Sequence, residues 1–129
     1  MNSDAKIYEA VFYWDERGHV PVREMVESLP EKMRTKIAAW VDLLVQEGPS
    51  LRRPYADKVQ DKLYELRIRF ASDNIRILYF FFLSNKIILL HAFRKKDWKL
   101  KRGDLELAER RMLDFIHRCK NGKISLTLK

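Results

Sequence analysis

Three arginines, a histidine and a lysine, at Arg67, Arg69, Arg76, His91 and Lys95, are the residues whose types and order in this sequence could do chemistry together. A guanidinium is planar, always charged and forked, so it matches two oxygens of a phosphate. An imidazole takes or gives a proton near neutral pH, and a lysine crowded by other cations parts with its proton more readily. Around them runs the densest basic stretch of the chain, Arg94-Lys95-Lys96-Asp97-Trp98-Lys99-Leu100-Lys101-Arg102. Such a run is either a solvated loop or a phosphate-binding patch, since clustered cations attract a polyanion and release its counterions.

Strand parity is what would bring these residues together. Leu63–Phe70 alternates, with Tyr64, Leu66, Ile68 and Phe70 pointing one way and Leu63, Glu65, Arg67 and Arg69 the other. Ser72-Asp73-Asn74 predicts a turn into Ile75–Leu83, and Ser84-Asn85 a turn into Lys86–Phe93, which makes a three-stranded antiparallel meander. Placing Arg69 opposite Arg76 and Leu83 opposite Lys86 carries the parity across. One face then holds Tyr64, Leu66, Ile68, Ile75, Ile77, Tyr79, Phe81, Ile88, Leu90 and Ala92, a core for helices to cover. The other holds Arg67, Arg69, Arg76, His91 and Lys95 among Leu78, Phe80, Phe82 and Phe93. Any one of these arginines is accounted for by pairing with Glu65 or with acids of the last helix. As a group they repel one another unless an anion sits among them.

The remaining elements follow from periodicity and breakers. Ile7–Tyr13 is rich in β-formers and predicts a first strand, ended by Asp15–Gly18. A short helix over Arg23–Glu27 follows Pro21. A longer one begins at Pro30, with Met33, Ile37, Trp40 or Val41, and Leu44 at helical spacing, and stops at Gly48-Pro49. Pro49–Asp57 reads as loop. The last helix is expected from about Asp104 to Cys119, ended by Asn121-Gly122, and the tail Ile124, Leu126, Leu128 is either an edge strand or disordered. The phenylalanines of the cationic face read as a second small core beneath that helix.

The length of 129 residues fits one domain, spanning 1–129. With 47% hydrophobic and 34% charged residues the composition is that of a folded protein, not a disordered or fibrous one. The formal net charge of +8 lies wholly in the last third, because residues 1–85 hold 13 Lys/Arg and 13 Asp/Glu, and residues 86–129 hold 13 and 5. The single Cys119 excludes an intramolecular disulfide and a multi-cysteine zinc site, which suits a reducing, cytoplasmic setting. On the apolar side of its helix it reads as an inert core thiol. His19, His91 and His117 lack metal-ligand spacing, and no glycine-rich phosphate loop is present, so neither metal nor cofactor is expected. The longest apolar run, Ile77–Leu83, is too short to span a membrane, and the acid-bearing N-terminus predicts no secretory signal.

Read in order, Lys62-Leu-Tyr-Glu-Leu-Arg-Ile-Arg69, Ile75-Arg-Ile-Leu-Tyr-Phe80, Ile87-Ile-Leu-Leu-His-Ala-Phe-Arg-Lys-Lys96 and the Ala-Glu-Arg-Arg within Leu105–Arg111 resemble the RelE/ParE toxin superfamily, closest to its HigB-like, phage Gp49-like branch. The resemblance covers about residues 60–112. It implies an α+β fold, a small twisted antiparallel sheet with two N-terminal helices packed on one face and a C-terminal helix. It further implies a toxin that cleaves mRNA on the ribosome without a metal, and a cognate antitoxin, of helix-turn-helix type, as partner. By motif position it implies Arg67 and Arg76 as ligands of phosphate and transition state, Lys95 or Lys96 from the basic end and His91 as acid or base. RNA contacts would fall to Arg69, Arg94, Lys96, Trp98, Lys99, Lys101 and Arg102. The stretch Asp97–Lys101 departs from the branch, whose members carry Thr or Ser and Pro there. Two other readings stay open: a ParE-like inhibitor of DNA gyrase that cleaves nothing, and a non-toxic nucleic-acid-binding relative.

Overall fold

The computed structural model describes residues 7–95 and 101–126. In chain order the elements are β1 (Glu9–Phe12), α1 (Pro21–Glu27), α2 (Glu31–Glu47), a 3-10 turn at Gly48–Ser50, β2 (Ala56–Gln60), β3 (Leu63–Phe70), β4 (Asp73–Phe82), β5 (Lys86–Arg94) and α3 (Arg102–Lys120). The strands form one sheet in the order β1-β5-β4-β3-β2. The fold is α+β, but the sheet is mixed rather than antiparallel throughout, because β1 runs parallel to β5. The second strand was not legible: Pro49–Asp57 reads as loop, yet β2 begins at Ala56. Its Asp57, Lys58 and Gln60 show no amphipathic pattern, and its place is set by the ladder to β3, Ala56 opposite Leu66 and Lys58 opposite Tyr64.

Both faces of the sheet are covered. Val22 and Leu29, with Met33, Ile37 and Leu44 of α2, bury against Leu66, Ile68, Ile75, Ile77, Tyr79, Ile87, Leu89 and Ala92. On the opposite face α3 sets Ala108, Met112 and Phe115 against Leu63, Leu78, Phe80, Ile88 and Leu90. This sandwiching explains why Ile75–Phe80 of β4 is a continuous buried run instead of an alternating one. The tail continues as coil after α3, with Ile124 buried in the α3-side core, and residues 127–129 lie outside the described residues. No helix among the described residues is long and apolar enough to cross a membrane.

Strand parity fails in half of β5. Ile88 and Leu90 are expected beside Ile77 but lie under α3, and Ile87 and Leu89 take their place. The cause is a bulge: Leu78 faces His91, whereas Tyr79 faces Leu89, so Leu90 is the extra residue. A bulge leaves a carbonyl without its ladder partner, and here Arg111 of α3 donates to the Leu90 carbonyl over 2.8 Å. Beyond the bulge the register agrees with the sequence, so His91 and Phe93 keep their expected face.

Gly48 ends α2 at φ +56°, ψ −135°, a conformation that side chains other than glycine rarely adopt. A Cβ there would clash with the edge of the Tyr8 ring at its Cε1. Gly48→Ala is therefore expected to lose about 1–3 kcal/mol of stability, read as a lower urea midpoint with an unchanged slope. An unchanged midpoint would mean that the turn relaxes freely.

Candidate active site

Three rows of side chains cross the open end of the α3 face. Glu65, Leu78 and His91 make the first, Arg67, Arg76 and Phe93 the second, and Arg69, Asn74 and Lys95 the third. Arg67 and Arg76 are direct cross-strand partners, two registers away from the pairing expected for Arg76, an even shift that preserves the face. All five residues of the predicted constellation thus share one face.

Their environments differ. Arg69 is exposed, whereas Arg76 is only 8% exposed and Lys95 only 7%. Parity alone puts Arg76 on an open surface, but in the folded chain it is largely buried beside Glu65, Arg67 and Phe93. The anion that such a cluster requires is supplied by the chain: Glu65, itself 7% exposed, places Oε1 3.4 Å from Arg76 Nε and Oε2 3.8 Å from Arg67 Nε. Burial pulls the Arg76 guanidinium below the ordinary arginine range; Glu65 opposes that effect, and Arg67 and Arg69 add to it.

His91 is tied to α3. Its Nε2 lies 2.8 Å from Asp104 Oδ1, in the first turn of the helix, and its ring stacks on Phe93 with centroids 4.9 Å apart. Burial lowers its affinity for a proton below the ordinary value of 6.5, more than the Asp104 hydrogen bond and charge restore. The folded chain therefore binds this proton more weakly than the unfolded chain does. Stability from this group is complete above 6.5 and is lost as the pH falls from there towards the folded value. A lower urea midpoint is expected at about pH 5.5 than at about pH 7.5, with a smaller difference in His91→Gln. Equal pH dependence in the two proteins would refute it.

The structure separates some of the predicted RNA contacts from this face. Arg94 points to the α2 side, where its Nη2 reaches Met33 Sδ at 3.9 Å and its Nη1 lies 3.9 Å from Asp73. The reason is alternation, since Arg94 sits between Phe93 and Lys95 and must face the other way. Lys101 and Arg102 are exposed at the start of α3, with Arg102 3.3 Å from Glu106. Lys96, Trp98 and Lys99 lie outside the described residues. Cys119 is half-buried against the α3-side core, and burial pushes its thiol up, away from nucleophilic character.

Two further acids belong to the site. Glu65 had a visible signal, its alternation with Arg67 and Arg69. Asp104 had none, because its contact joins residues on a strand and a helix whose relative placement only packing sets. Among the described residues no three His, Cys, Asp or Glu side chains cluster as a metal site.

Residues 24–113, which span all three rows and Asp104, match the family described as phage-derived Gp49-like protein (DUF891). A stretch of 62 residues, 46% of this chain, is 40% identical to a Mycobacterium tuberculosis (strain ATCC 25618 / H37Rv) protein named "Putative toxin HigB3". That stretch covers 54% of the relative, about half of its length. The strand motifs, the fold and this match agree: the chain belongs to the phage-derived Gp49-like family, the branch of the RelE/ParE superfamily that its motifs resemble.

Proposed function

We propose that this protein is the toxin of a toxin–antitoxin pair and that it cleaves mRNA at the ribosome. The observation that carries the reading is the adjacency of two cross-strand arginines, Arg67 and Arg76, to an imidazole held by a carboxylate one row away. In the reaction a ribose 2′-oxygen attacks the adjacent phosphorus and the 5′-oxygen leaves, so one proton is removed and one delivered. Arg67 and Arg76 hold the phosphate and stabilise charge growing on its oxygens. His91, neutral near pH 7, moves a proton, and the Asp104 contact at Nε2 fixes its ring. Lys95 adds positive charge at the end of the site. Exposed Arg69, Lys101 and Arg102, with Lys96, Trp98 and Lys99, bind RNA outside the scissile phosphate, without sequence preference. An antitoxin, of helix-turn-helix type by the resemblance, neutralises the face in a cytoplasmic complex, and the name of the mycobacterial relative supports the toxin assignment.

Induced expression in bacteria tests this against the two other readings. The expected result is growth arrest with mRNA fragmentation and unchanged plasmid supercoiling. Arrest with intact mRNA and altered supercoiling would instead indicate a gyrase inhibitor. Growth without either change would indicate a nucleic-acid-binding protein that is not toxic.

A further inference from the structure

We propose that Glu65 is a positioning residue that aims the Arg67 and Arg76 guanidiniums at one phosphodiester. The inference rests on the reading of this face as an RNA-cleaving site and names how its phosphate clamp is built. Both contacts of Glu65 are made to Nε atoms, at 3.4 Å for Arg76 and 3.8 Å for Arg67. The carboxylate thus lies along the inner edge of each fork, and among the described residues no hydrogen bond engages the Nη ends of either arginine. Glu65 Oε1 and Arg76 Nε are themselves buried without a hydrogen-bond partner. A buried polar atom left in that state needs an explanation, because the cost of its desolvation is not repaid. A retained charge contact that fixes the direction of two guanidiniums provides one.

The chemistry of the occupant follows. Two guanidiniums on opposed positions of neighbouring strands carry four Nη groups that Glu65 does not hydrogen-bond, and a tetrahedral anion with two non-bridging oxygens can accept from both forks at once. Three arginines on the same face, Arg67, Arg69 and Arg76, outnumber the one carboxylate among the three rows, so a phosphodiester meets net positive charge even with Glu65 in place. In this arrangement the carboxylate stays where it is when RNA binds. Its role is geometric, and it takes no proton from the substrate.

Arginine side-chain ¹⁵N spectra of the wild-type protein test this without relying on activity, with signals assigned from Arg67→Lys and Arg76→Lys. The probe is a 2′-O-methylated RNA decamer, which the proposed reaction cannot cleave. On titration the Nη signals of both arginines are expected to shift and sharpen while the Nε signals stay in place. In Glu65→Gln the Nε signals should move before any RNA is added. That variant should bind the decamer at least as tightly, and cleave ribosome-bound mRNA about 10²-fold more slowly with KM little changed, the cost of a misaimed group. Nε signals that move when RNA binds would overturn the proposal, because the phosphate would then displace Glu65. So would wild-type cleavage by Glu65→Gln, and both results would leave the endoribonuclease reading intact. A decamer that perturbs no Nη signal, from a protein that cuts no mRNA, would overturn that reading and the clamp with it.

Discussion

Arg76→Ala is expected to slow mRNA cleavage by about 10²–10³-fold, the usual loss when one donor to a developing oxyanion is removed. It is also expected to cost stability, which separates it from an ordinary surface substitution. Glu65 is 7% exposed and Arg76 Nε is its nearer cation, so truncation leaves a buried carboxylate facing only Arg67 at 3.8 Å. Breaking a buried pair by removing one partner costs about 3–5 kcal/mol, and the remaining arginine places the loss near the lower end, about 3 kcal/mol. The double variant Glu65→Met/Arg76→Met tests the cause, since replacing both members with apolar groups restores most of that stability while activity stays lost. Urea denaturation of the three proteins, with cleavage measured well below each midpoint, reads both quantities. An Arg76→Ala protein as stable as wild type would show that the pair is solvated, and one as active would remove Arg76 from the chemistry.

Phe115→Ala is expected to have the largest effect on folding, about 3–5 kcal/mol. Its ring is fully buried and meets Trp14, Phe80 and Phe82 edge-on, with centroids 5.9, 6.3 and 5.5 Å away. Those three rings come from the segment after β1 and from β4, so this one side chain fastens α3 to the sheet. A consequence for the site follows, because α3 also carries Asp104, the partner of His91. A loosened helix should raise amide exchange in α3 before exchange in β3–β5, and should weaken the His91 contact while Arg67 and Arg76 hold their register. The measurement is native-state hydrogen exchange of the variant beside wild type. If α3 and the central strands exchanged at one common rate, the helix would not be a separately fastened element.

Much of this protein was readable from residue order. The alternation from Leu63 to Phe70, the turn residues around Ser72 and Ser84, and the breakers at Gly48-Pro49 and Asn121-Gly122 specify β3, β4, β5, α2 and α3 because each is a local signal of period or backbone geometry. The same alternation puts Arg67, Arg69 and Arg76 on one face, and an even error in pairing cannot change that. Its limit is β5, where the odd loop Leu83–Asn85 and the extra residue Leu90 each shift parity by one. The two shifts cancel beyond the bulge, so His91 was placed correctly while Ile88 and Leu90 were not. β2 was missed because its polar residues are held by a ladder and not by a pattern.

What residue order could not reach are the contacts made across elements. The Asp104 contact to His91 depends on how α3 lies across the sheet, the distance from Glu65 to Arg76 depends on the register of β3 against β4, and the burial of Arg76 is not given by alternation. A strand's period says which way a side chain points, and it says nothing about what packs above it. Parity could therefore gather the cations and Glu65 on one face, while their exposure was set by tertiary packing, through which Asp104 acquires its partner.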